Sequence, residues 1–109
     1  ADATVLVDEN NEVYAIGGVE SHSTDGVQLN YVWMLCTGMV ERHKTKFLRA
    51  AKRMLDEYLE KYTHLENFVW LGNEQHVQWL KWMGATFHDV VKVSNEDFQL
   101  FVFSKEVKE

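Results

Sequence analysis

The apolar positions fall into short β-type runs, broken by one long stretch of helical period and one shorter one. Thr4–Val7 and Glu12–Val19 are rich in β-forming residues and flank Asp8-Glu9-Asn10-Asn11, a cluster of turn formers, so they predict a hairpin. Gly17-Gly18 in the second arm marks a bulge, a close backbone approach, or the end of the strand. Glu20–Gln28 is polar, with Ser21, Ser23, Thr24, Asp25 and Gly26, and predicts a loop or long turn. In Leu29–Thr37 the near-continuous apolar run Tyr31–Cys36 has the pattern of a strand in the middle of a sheet. From Arg42 or Lys44 to Tyr62 the period becomes helical. Phe47, Ala51, Met54, Tyr58 and Tyr62 form one stripe, widened by Leu48, Leu55 and Leu59. Such a helix is about 28 Å long, enough to cross one face of a small sheet.

The second half repeats the alternation. Phe68–Leu71 is an apolar run that suits a strand buried on both faces, and Gly72-Asn73 breaks it. Asn73 is a good N-cap because its side-chain oxygen can accept a backbone N–H of the next turn. Val77, Leu80 and Met83/Gly84 then recur at helical spacing, and Gly84 ends the helix. Ala85–Val93 and Phe98–Phe103 flank the polar turn Ser94-Asn95-Glu96-Asp97 and predict a closing hairpin, followed by a charged tail, Ser104–Glu109. The order β-β-β-α-β-α-β-β shows no internal repeat and predicts an α/β fold: a mixed sheet with two packed helices, the second a crossover.

Composition narrows this to one domain over residues 1–109. With 46 % hydrophobic residues the chain can build a core without staples, and its single cysteine excludes an internal disulfide framework, which makes cytoplasm the default. No apolar run reaches the roughly 18 residues needed to span a bilayer, and no signal peptide is evident. The chain starts at Ala1 rather than Met, which reads as processing or a missing N-terminal portion. Net charge is −6, and six of the eleven basic residues (Arg42, Lys44, Lys46, Arg49, Lys52, Arg53) crowd the first half of the long helix. Asp56, Glu57 and Glu60 lie in its second half. This opposes the helix dipole, which puts about half a positive charge at the N-terminus. Arg53 with Glu57 and Glu57 with Lys61 are i, i+4 partners that offset part of the cost. The cluster reads either as a solvated face or as an anion site for a phosphate-bearing ligand or an acidic partner. Nucleic acid is not the expected partner, because the overall balance is acidic and the cluster lacks interleaved aromatics.

Other chemistry is sparse. The five histidines show neither H-x-x-x-H nor H-x-x-E-H spacing, so no metal site is expected. Cys36 lies in an apolar strand and reads as a core residue rather than a nucleophile. Trp79 and Trp82 lie off the Val77/Leu80 stripe and read as a protein interface or as cover for the sheet edge.

The order of elements and two motifs resemble the GNAT superfamily of acyl-CoA-dependent N-acyltransferases, from that family's second strand to its last, with its first strand and two helices missing. The family's late motif of Asn, small residue, aliphatic residue, Tyr and Gly-Phe falls on Asn73, His76, Val77, Leu80, Gly84 and Ala85. The tyrosine that often serves as general acid is thus Leu80, which has no transferable proton. Its Arg/Gln-x-x-Gly-x-Gly/Ala signature falls on Arg42, Thr45 and Phe47, and both glycines are gone. Those glycines let backbone N–H groups approach the diphosphate of coenzyme A, so their loss implies decayed chemistry. Tyr58–Phe103, with Trp70-Leu71-Gly72-Asn73, Leu80-Lys81, Gly84-Ala85-Thr86-Phe87-His88 and Phe98-Gln99-Leu100-Phe101, is also similar to the internal virion protein A group of short-tailed phages. These resemblances imply a phage protein of the host cytoplasm or virion, non-catalytic, with phage structural proteins as partners and a homodimer as one arrangement. The alternative is an acyltransferase that moves an acyl group from acetyl-CoA to an amine. The cofactor would lie at Thr37, Arg42, Lys44 and Thr45, with Cys36 and Asn73 on the pantetheine arm and Glu41 or His43 as base. A third reading is an inhibitor that binds a host protein through Trp79 and Trp82.

Overall fold

The chain folds around a six-stranded sheet of spatial order β1-β2-β3-β4-β6-β5, and a computed structural model describes residues 2–105. The strands are β1 (Asp2–Val7), β2 (Val13–Thr24), β3 (Val27–Cys36), β4 (His64–Trp70), β5 (Thr86–Val93) and β6 (Glu96–Ser104). Helix α1 (Met39–Arg42) is one short turn, α2 (Lys44–Lys61) is the long helix, and α3 (Glu74–Trp82) connects β4 to β5 across β6. All pairings are antiparallel except β3 with β4. The expected mixed, mainly antiparallel α/β layout and its order of main elements are present, with α1 added. Of the expected tail, Ser104 closes β6, and residues 106–109 lie outside the described residues.

Both long helices lie on one face of the sheet. The expected stripe of α2 buries Phe47, Ala51, Met54, Leu55 and Tyr58 against Ala15, Val19, Val32 and Leu65, while Phe47 meets Trp79 of α3 with ring centroids 5.3 Å apart. The other face carries Val5, Val7, Ile16, Leu35, Phe68, Trp70, Val91 and Val93, all exposed. One-sided cover corrects two expectations. β4 is buried on one face only, through Leu65 and Val69, whereas Phe68 and Trp70 are each 44 % exposed. The run Tyr31–Cys36 is central in the sheet, yet Leu35 is 70 % exposed and Cys36 is exposed as well. Continuous apolarity here reflects two apolar sheet faces, of which one is open.

The expected loop at 20–28 is instead the far end of a long hairpin. Cross-strand pairs continue through Ser21↔Asn30, His22↔Leu29 and Ser23↔Gln28 to a two-residue turn at Asp25-Gly26, both with positive φ (52° and 78°). Asp-Gly is favoured in this turn because its backbone twist matches that of the flanking strands. Ser94-Asn95 makes the equivalent turn between β5 and β6 (φ 50° and 66°). Of the readings of Gly17-Gly18, close approach holds: a Cβ on Gly17 would lie 3.0 Å from the Met54 methyl, and one on Gly18 would strike the Asp2 carbonyl and the Trp33 ring. The register shift lies elsewhere in this pair, where the adjacent Leu6 and Val7 face Ala15 and Val13 and Tyr14 of β2 is the extra residue.

The far end of α2 is tied to β1. Lys61 Nζ donates to Asp2 Oδ2 at 2.7 Å, and the Tyr62 hydroxyl donates to the same oxygen. Lys61 is therefore engaged away from its expected partner Glu57, and Lys52 with Asp56, at 2.7 Å, is the i, i+4 pair of this helix. The hydrogen bonds from Lys61 and then Tyr62 hold the Asp2 carboxyl below its ordinary 3.8. The Asp2 carboxylate holds Lys61 above 10.5 and Tyr62 above 10.0. A depressed acid contributes stability above its unfolded value that is lost as pH falls through the folded one. A raised base or phenol contributes below its unfolded value and loses it as pH rises. Melting temperature is therefore expected to fall below pH 3.8 and above pH 10. Asp2→Asn should shrink the part of both falls that this cluster supplies, and unchanged slopes in that variant would refute the assignment.

Candidate functional site

The one parallel contact in the sheet is brief. β3 and β4 register at the single pair Tyr31↔Glu66, and beyond it the strands part. Two asparagine side chains bracket that pair. Asn30, 2 % exposed, donates Nδ2 to the His64 carbonyl at 2.9 Å, and its Oδ1 accepts from Ser21 and Gln28. On the opening side, Asn67 donates Nδ2 to the Val32 carbonyl at 2.9 Å and accepts the Phe68 N–H on Oδ1 at 2.8 Å.

Past Asn67 the parted strands enclose a cavity of about 310 Å³, walled by Met34 and Cys36 from β3, Asn67 and Phe68 from β4, and Trp79, Leu80 and Met83 from α3 and its end. Phe47, Met54, Phe101 and Phe103 close its floor. The volume lies at the small end of ligand pockets, and the lining is apolar apart from Asn67, Cys36 and His76. Cys36 is exposed as a residue, but partial desolvation of its thiol against the cavity pushes it up from 9.0, so it stays protonated at neutral pH and is a poor nucleophile.

Helix α3 is held in place by its two ends. Asn73 Oδ1 accepts the His76 N–H at 3.2 Å, the N-cap expected from the sequence. At the other end Gly84, with φ of 100°, lets Ala85 N–H reach the Leu80 carbonyl and its own N–H reach that of Lys81, the paired bonds of a Schellman cap. Trp79 is half-buried and packs between Phe47 and His76, as a residue that covers the sheet would. Trp82 stands alone at 58 % exposure.

Of the six residues proposed to hold a cofactor, Cys36 lines the cavity, while Thr37, Arg42, Lys44, Thr45 and Asn73 lie outside its wall. Thr37 is used structurally: its hydroxyl donates to the Val13 carbonyl at 2.7 Å, its N–H to that of Tyr14 at 2.9 Å, and its oxygen accepts the Met39 N–H, which starts α1. Arg42 and Thr45 are exposed. Lys44 lies 3.9 Å from Glu41. With the Gln75 amide oriented to suit its neighbours, its nitrogen donates to Glu41 at 3.0 Å and its oxygen accepts from Lys44 at 3.1 Å, which ties the start of α2 to α3. Lys46 reaches Glu9 at 3.7 Å. The basic cluster is thus partly neutralised in exposed pairs, which are individually weak. His43 packs edge-on against Tyr14. Among the described residues no three His, Cys, Asp or Glu side chains gather as a metal requires. No helix of the described residues is long and apolar enough to cross a membrane.

Sequence reasoning missed Asn67, Asn30 and Gln75. A signal for Asn67 existed: asparagine is depleted in strands, so an Asn within His64-Leu65-Glu66-Asn67-Phe68-Val69-Trp70 calls for a partner.

Residues 3–91 match the protein family described as "Bacteriophage T7, probable scaffold protein Gp13". The chain belongs to this family. A member from Escherichia phage T7, "Probable scaffold protein gp13", is 38 % identical over 91 residues, which covers 84 % of this chain. The chain spans 62 % of that protein's length. Among solved structures, a ribosomal-protein-alanine N-acetyltransferase from Brucella melitensis superposes with a TM-score of 0.78 at 12 % identity, covering 94 % of this chain and 68 % of that one. An acetyltransferase of the GNAT family from Bacillus anthracis gives 0.75 at 12 % identity, covering 95 % and 66 %. At such identities the likeness is one of fold. This member of a phage family therefore has the GNAT fold, as both sequence resemblances imply.

Proposed function

We propose that this protein serves virion assembly as a GNAT-fold component that no longer transfers acyl groups, with phage structural proteins as its partners in the host cytoplasm or the virion. The observation that carries the reading is the turn into α2. Where the acyltransferase resemblance calls for a glycine loop, the chain forms α1 and passes through His43 directly into α2, and Phe47 sits 1 % exposed in the core. A diphosphate approaching the start of α2 also meets the exposed Glu41 carboxylate, which pairs with Lys44 and Gln75. Leu80, at the position of the general acid, belongs to the apolar cavity wall. Membership in the phage family and the relative's description supply the assembly context.

Calorimetric titration with acetyl-CoA should then give no binding heat. In a phage deleted for the gene, infectious particles should be lost and should be restored equally by wild type and by the Arg42→Ala/Lys44→Ala double variant. Micromolar binding that the double variant abolishes, together with failure of that variant to restore particles, would establish the acyltransferase reading instead.

A further inference from the structure

A parallel pair of strands in contact normally continues its ladder until one strand ends, yet here pairing stops after one register pair although β3 runs on to Cys36 and β4 to Trp70. In a parallel ladder the bonds run alternately from one strand and then the other. After Tyr31↔Glu66 the rung on the opening side is Phe68 N–H to the Val32 carbonyl. Both groups are bonded, but each to the side chain of Asn67: the carbonyl to Nδ2 at 2.9 Å and the N–H to Oδ1 at 2.8 Å.

We infer that Asn67 is the wedge that holds the cleft open. Its carboxamide carries the same donor and acceptor as a peptide group, so it occupies the rung and satisfies both strands while adding its own width between them. No buried side-chain polar atom of the described residues is left without a partner, so the separation leaves no such cost to drive closure. The backbone groups next in line on that edge of β3, two residues on, are those of Met34, which lines the cavity opposite Phe68. With the wedge in place they are offered to the cleft rather than to β4. Asn67 is thus a positioning residue, and the inference concerns the cavity itself, independent of whether acetyl-CoA or an assembly partner enters it.

The test uses the whole chain and two local probes, amide exchange at Met34 and alkylation of Cys36 by iodoacetamide. Asn67→Val removes the carboxamide and favours a regular strand. Its ladder should advance by the Phe68 rung and the one after it, which takes up the Met34 N–H, slowing exchange at Met34 by tenfold or more and alkylation of Cys36 severalfold. Asn67→Asp keeps the side-chain volume and the acceptor for Phe68 N–H but loses the donor and sets a carboxylate oxygen against the Val32 carbonyl, so the strands should stay apart and neither probe should slow. If Asn67→Val does not fold, Asn67→Thr, whose hydroxyl is too short to reach across the gap, should give the same slowing. A folded Val or Thr variant with wild-type rates would overturn the inference. So would faster exchange and alkylation with a lower melting temperature in every variant, since the amide would then only satisfy its neighbours.

Discussion

Replacing Phe47 with glycine is expected to bring the protein close to unfolding rather than to rebuild a diphosphate loop. The substitution restores the small residue that the acyltransferase resemblance places there, and a simple history of loss would make it harmless. Phe47 is 1 % exposed, however, and its ring lies 5.3 Å from that of Trp79 and 6.5 Å from that of Tyr14, joining α2, α3 and β2. Truncating a buried phenylalanine costs about 3–5 kcal/mol, and glycine within a helix adds up to about 1 kcal/mol. Domains of this size hold roughly 5–15 kcal/mol in total. Urea denaturation should show the midpoint displaced by at least about a fifth of its value, and acetyl-CoA should still give no heat. A variant as stable as wild type would show that the ring is no part of the core, and the account of the turn into α2 would fall with it.

The second large effect is expected at Gly18. A Cβ there would land on the Asp2 carbonyl oxygen and 2.7 Å from the Trp33 indole, so backbone on one side and a ring on the other leave no room. Gly18→Val should cost about 2–3 kcal/mol as overpacking and loosen β1, read as faster amide exchange along Asp2–Val7 relative to β6. Gly38→Ala is the control. Its φ is −64° and nothing lies within 4 Å of the added methyl, so it should be neutral or slightly stabilising. Equal effects at the two glycines would contradict the packing described around Gly18.

The sequence made most of the framework readable because its signals were local. Helix α2 announces itself by the Phe47-Ala51-Met54-Tyr58 stripe, and α3 by the Asn73 cap and the Gly84 stop; both ends are where they were expected. The long β2–β3 hairpin was misread because residues 20–28 are polar, and polarity outweighed the Asp25-Gly26 turn signal and the pairing it sets. Burial was harder to read. Apolar content in β3 and β4 implies a double-sided core only if both faces are covered, and cover is a property of the whole arrangement rather than of any window. The candidate site was legible as a region but not in its working parts. Leu80, the missing glycines and Cys36 could be placed by motif. The Asn67 relay joins residues on two strands 35 positions apart, and Gln75 meets Glu41 and Lys44 only because α3 folds back over the start of α2.

The uncovered sheet face also governs how the molecule behaves in bulk. Eight large hydrophobic side chains from all but one strand make a broad non-wetting plane, on a polypeptide whose net charge of −6 is its main long-range repulsion. That repulsion reaches about 10 Å at 0.1 M salt and about 3 Å at 1 M. Ionic strength therefore acts as a colloidal control here: in dilute buffer the charge opposes contact between the open faces, and concentrated sulfate is expected to precipitate the protein at levels that a fully covered sheet of the same charge would tolerate, which a salt-titrated light-scattering series checks.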